Sequence, residues 1–97
     1  MVDPELYYDW DGQLITRNDW AEMYGRERHI GDTHVNNIRV STVWLGLNHN
    51  WSGQGPPLIF ETVVFDADGN DLDQQRYPTL VAARAGHDQF VAKYRTR

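Results

Sequence analysis

Ninety-seven residues make one domain's worth of chain, and a domain this small buries about 60–65% of its unfolded surface, enough for a single core over residues 1–97. Hydrophobic residues at 40% and charged residues at 24% are ordinary globular usage, which excludes disorder along the whole length. A formal net charge of −5 argues against sequence-independent duplex binding, which needs clustered Lys and Arg to displace counterions, although Arg76, Arg84, Lys93, Arg95 and Arg97 gather toward the C-terminus.

Two turns echo each other, Asp9-Trp10-Asp11-Gly12 and Asp66-Ala67-Asp68-Gly69. Asp-Gly between β-type residues is a hairpin signal, because Gly accepts positive φ and Asp tolerates it. The first turn therefore predicts a short hairpin of Leu6–Tyr8 and Gln13–Ile15. Thr16 then reads as a helix N-cap, with Asp19 in a weaker form of the capping box and Ile15 and Trp20 placed for a hydrophobic staple. Trp20, Met23 and Tyr24 fall at helical spacing, and Gly25 is a natural stop, so a short helix is expected over about 17–24.

A strand is expected around His29–Val35, followed by a turn at Asn36-Asn37. The chain from Ile38 to Leu47 is β-rich, and Leu58 to Phe65 more so. The second run is apolar at both parities except at Glu61 and Thr62, which predicts the central strand. Between them lies the loop Asn48–Pro57, rich in Asn, Gly and Pro. After the second Asp-Gly turn, read as type I′ or a relative, a further strand is expected near Gln74–Tyr77. Pro78-Thr79 starts a last helix to about Tyr94, with Leu80, Ala83, His87, Phe90, Val91 and Tyr94 along one face. The predicted fold is α+β: an antiparallel sheet of three to five strands, a short N-terminal helix, and a longer C-terminal helix packed on one face.

Asn48-His49-Asn50-Trp51 leaves an apolar strand and enters a loop with Gly53, Gly55, Pro56 and Pro57. Two readings stand here. In the commoner one Trp51 folds back over the core while the amides bond loop carbonyls. In the other Trp51, flanked by amides and His49, is displayed as a binding anchor, since Trp carries much of the energy at many interfaces.

His29, His34, His49 and His87 invite a metal hypothesis, but no two form a His-x-x-x-His pair. A site assembled in space from His49 and His87 with Glu61 or Asp88 is the weaker reading, and no metal is expected. His87 lies on the apolar stripe of the last helix and reads as a hydrogen-bonded boundary residue. Asp66, Asp68 and Asn70 match the start of a calcium loop; Asp71 and Tyr77 then stand where Gly and Glu are required. Glu61 reads as exposed or paired with an Arg, in preference to a buried acid or base with a raised pKa. Ser41 and Ser52 lie in no nucleophile elbow, and Gly53-Gln54-Gly55 lacks the rest of a phosphate loop. Nothing here gives a positive reason to expect an enzyme or a cofactor.

The block STVWLGLNHNW, then GPPLIFETVVF, then AGHD, resembles a family of short uncharacterised proteins of actinobacteria and their phages, as does the opening YYDWDGQLITRNDWAEMY. The likeness spans about residues 7–91. Asn48 stands where many relatives carry Asp, which removes an ionised ligand from that position. The resemblance implies a small accessory protein that binds and alters a host or defence protein.

The leading expectation is a non-enzymatic binding protein whose partner is a host or phage protein, or a second copy of the chain. Trp44, Asn48, His49, Asn50 and Trp51 form its candidate surface. The alternative is a small-ligand or nucleotide-binding module, with a pocket between sheet and last helix lined by Trp44, Glu61 and His87 and rimmed by Arg84. The absence of cysteine favours a reducing cytoplasmic setting, that of the host if the protein is phage-encoded. The start, Met1-Val2-Asp3-Pro4-Glu5, is acidic and unlike a signal peptide, and no apolar run approaches the ~20 residues that span a bilayer.

Overall fold

The computed structural model describes residues 6–96, so the reading of residues 1–5 and of Arg97 lies outside the described residues. In chain order the elements are β1 (Tyr7–Tyr8), β2 (Leu14–Ile15), α1 (Arg17–Tyr24), β3 (His29–Val35), β4 (Ile38–Trp44), β5 (Phe60–Phe65), β6 (Asp71–Tyr77) and α2 (Leu80–Arg95). The fold is α+β. Strands β3-β4-β5-β6 form an antiparallel meander of four strands, β1 and β2 form a separate hairpin, and α2 crosses one face of the larger sheet. No helix is long and apolar enough to cross a membrane among the described residues.

Local chemistry sets these boundaries. Thr16 caps α1 by accepting from the Asp19 N–H at 3.0 Å, and Thr79 caps α2 by accepting from the Ala82 N–H at 3.1 Å. The two Asp-Gly turns share one construction. Asp9 Oδ1 accepts from the N–H groups of Asp11 and Gln13, and Asp66 Oδ1 accepts from those of Asp68 and Asn70. Only the Gly of each turn has positive φ, 82° at Gly12 and 84° at Gly69. The turns are therefore type I followed by a left-handed Gly, not type I′. The type I′ pattern occurs instead at Asn36-Asn37, where φ is 50° and 66° and Val35 pairs with Ile38. Strand β6 begins at Asp71, three residues ahead of expectation, because the turn hands Asn70 straight back to Asp66 and the ladder starts at once.

Alternation along the strands sorts the sheet into two faces. Val40, Thr42 and Trp44 of β4, with Phe60, Thr62 and Val64 of β5, are buried and face α2. From the helix come Ala83, His87, Phe90, Val91 and Tyr94. Gly86 lets the helix approach closely: any Cβ there would run into the Tyr77 ring. The end of α2 is tied down by the β3–β4 hairpin, whose Asn36 Nδ2 donates to the carbonyls of Tyr94 and Arg95. The opposite face carries no helix among the described residues. There Val43, Val63 and Phe65 are half-buried between the ion pairs Asp32–Arg39 and Glu61–Arg76, so β5 is covered fully on one side only.

Candidate functional site

The chain from Trp44 to Pro57 is held from below before it reaches solvent. Trp44 is 0% exposed, and its indole N–H donates to the Tyr8 carbonyl at 3.1 Å. Tyr8 N–H returns a bond to Gly46 O at 2.8 Å, and the Trp20 indole of α1 donates to Leu45 O at 3.0 Å. Leu47 makes a bridge with Tyr7. Rings of Tyr7, Trp20, Tyr24 and Trp44 pack in sequence, each tilted to the next, with centroids 4.9–6.3 Å apart. The short hairpin and α1 thus serve as a brace for the stem of the loop.

The loop itself is ordered by its amide side chains. Asn48 Oδ1 accepts from the N–H groups of Asn50 (2.8 Å) and Leu58 (3.1 Å), joining the two ends of the loop. Asn50 Nδ2 donates to the carbonyls of Gln54 (2.6 Å) and Pro56 (2.9 Å), while its Oδ1 accepts from the Ser52 N–H and hydroxyl. Ser52 Oγ also lies 2.9 Å from Gln54 O and accepts from the Gln54 N–H. Gly53 and Gly55 take φ of 76° and 84°, which the reversal of the chain requires. His49 is fixed by donation from Nδ1 to Leu47 O at 2.8 Å, and its N–H reaches Leu58 O.

What this framework displays is Trp51. The residue is 74% exposed, with the His49 ring beside it at 5.1 Å between centroids. The loop amides are engaged with backbone, as the commoner sequence reading has it, but the indole does not fold over the core. Asn48, His49 and Asn50 therefore hold Trp51 out, and Trp44 supports from inside and presents nothing at the surface.

The other sequence candidates go elsewhere. Glu61 lies on the open face of the sheet, where Oε2 accepts from Arg76 Nε at 2.9 Å and Gln74 Nε2 at 2.5 Å. His87 lies on the helix-covered face, so Trp44, Glu61 and His87 do not line one pocket. His87 and Arg84 do share a recess with Ile30 and Asp88, of about 220 Å³, below the roughly 300 Å³ at which small-molecule sites begin.

His87 is instead the centre of an internal polar cluster. Its Nδ1 lies 2.7 Å from Thr42 Oγ1 and its Nε2 lies 2.9 Å from Thr33 Oγ1; Thr42 in turn meets Thr62 Oγ1 at 2.5 Å. Burial holds the imidazole below its ordinary pKa, against weaker opposing influences of Asp88 and Asp32. Gly31 makes room for the ring, since a Cβ there would come within 2.8 Å of it. The Tyr77 hydroxyl is buried against Gly86 and beside Thr62, and burial raises its pKa. Among the described residues no group of His, Asp and Glu is arranged to hold a metal ion.

Among the surfaces that sequence reasoning missed is a cleft of about 470 Å³ between the β1–β2 turn, the end of the loop and the start of α2. The signal was there in the aromatic residues Tyr8 and Trp10 and the prolines Pro56, Pro57 and Pro78, but nothing local says that these segments meet. Set against family models, curated proteins and solved structures, the chain matches none, so its own geometry carries the functional argument.

Proposed function

We propose that this chain is a non-enzymatic binding protein that grips a protein partner through Trp51, presented on the Asn48–Pro57 loop. The observation that carries this reading is a Trp 74% exposed at the tip of a loop whose backbone is already fixed by Asn48, Asn50 and Ser52. A large aromatic on a pre-ordered loop loses little conformational freedom on binding, which is the condition for a strong anchor. The His49 ring lies beside the indole, tilted 41° to it. The resemblance to phage and actinobacterial proteins supports a host or phage protein as the partner and the host cytoplasm as the place.

Capture of host proteins on the immobilised chain, repeated with Trp51→Ala and His49→Ala, tests this. Trp51→Ala is expected to weaken capture roughly thirtyfold or more, the scale of an interface hot spot, and His49→Ala less. Unchanged capture by both variants overturns the loop as the anchor. Sedimentation over a range of concentrations separates a foreign partner from a second copy: self-association lost in Trp51→Ala would assign the loop to a homodimer.

A further inference from the structure

We infer that the cleft beside the loop takes an extended, proline-containing segment of the partner with a basic residue next to the prolines. The inference rests on the binding reading above, but on different residues. Tyr8, Trp10, Pro56, Pro57, Leu80 and Val81 line the cleft, and Val81 is 80% exposed. Asn50 fixes one wall directly, through its bond to Pro56 O. Flat aromatic and proline surfaces of this kind suit a polyproline II helix, which arrives already extended and so loses little entropy on docking.

The polar groups fit the same ligand. A polyproline II backbone makes no internal hydrogen bonds, and each proline offers a carbonyl but no N–H. It therefore needs donors from its receptor. Tyr8 and Trp10 both line the cleft, and among the described residues neither the Trp10 indole N–H nor the Tyr8 hydroxyl makes a hydrogen bond. Asp11 is exposed in the same wall and forms no ion pair among the described residues. Its charge, on a chain of net −5, selects a cation beside the prolines.

Titration of isotope-labelled protein with an arginine-tipped octaproline peptide, and with its glutamate-tipped counterpart, tests this by nuclear magnetic resonance. The arginine peptide is expected to shift the Trp10 indole signal and the Val81 amide, and to bind several-fold more tightly than the glutamate peptide. Trp10→Phe keeps an aromatic ring, though a smaller one, removes the donor, and is expected to weaken binding several-fold. Asp11→Lys, at an exposed turn position, is expected to reverse the preference between the two tips without unfolding the chain. Trp51→Ala is expected to leave peptide affinity unchanged. Absence of shifts at Trp10 and Val81, or equal affinity for the two tips in the unaltered protein, overturns the inference. So do Trp10 shifts that depend on protein concentration alone, which would give the cleft to a second copy. Peptide binding that persists while Trp51→Ala and His49→Ala leave partner capture intact would sink the loop reading and keep the cleft; partner capture that depends on Trp51 without any peptide binding would do the reverse.

Discussion

The helix-covered face of the sheet and the Asn48–Pro57 loop are both organised by polar side chains, and they use them in opposite ways. Under α2, the hydroxyls of Thr33, Thr42 and Thr62 and the His87 ring satisfy one another, so polar atoms can stay inside a core closed by Val40, Phe60, Phe90 and Tyr94. In the loop, Asn48 and Asn50 spend their amides on backbone groups, and the one large apolar side chain is left in solvent. A buried network spends polar groups to make the inside consistent. The loop spends them to make an exposed shape persistent. The first region decides whether the domain folds; the second decides what it presents.

Five substitutions break this comparison at different points. Trp44→Ala removes the largest fully buried side chain, and with it the support of the loop stem. It is expected to cost about 3–5 kcal/mol in urea unfolding, a large part of the roughly 5–15 kcal/mol that a small domain has. Thr42→Val keeps the shape and leaves His87 Nδ1 and Thr62 Oγ1 without their shared partner, at an expected cost of about 1–3 kcal/mol.

The same cluster predicts an acid response. Burial depresses the His87 pKa in the folded state, so the unfolded chain binds the proton more readily. The stability contributed by neutral His87 is present above its unfolded pKa of about 6.5 and is lost as pH falls from there through the folded value. Asp32, bonded to Arg39, and Asp73, bonded to Lys93, have lowered pKa values and contribute a separate loss below about 4. Melting temperature measured against pH is expected to show both steps, with the upper one absent in His87→Gln.

The smaller effects lie in the loop. Asn50→Ala removes the bonds to Gln54, Pro56 and Ser52 and is expected to cost about 1 kcal/mol. Amide exchange at Ser52 and Gln54 is expected to quicken, and partner binding to weaken beyond the stability loss, because the loop must then be ordered at the moment of binding. Trp51→Ala is expected to leave stability within about 0.5 kcal/mol, since the indole touches little besides His49. A larger loss in urea unfolding would mean that Trp51 supports the fold after all.

Much of this molecule is legible in its chain because the determining interactions are local. Thr16 and Thr79 bond N–H groups three residues on, the Asp-Gly turns close within five residues, and strand and helix periods mark which side of each element is apolar. Alternation also assigns Glu61 to the face opposite Thr62 once the strand is placed. Tertiary structure alone decided the rest. Whether Trp51 covers the core or leaves it depends on whether space remains there. Trp44, Trp20 and Tyr24 already fill that end, and the amide bonds that turn the loop outward join residues whose distances the sequence does not specify. The union of Trp10 with Pro56 and Val81 in one cleft, and of His87 with three threonines from three strands, comes from long-range docking of segments, to which no local spacing rule applies.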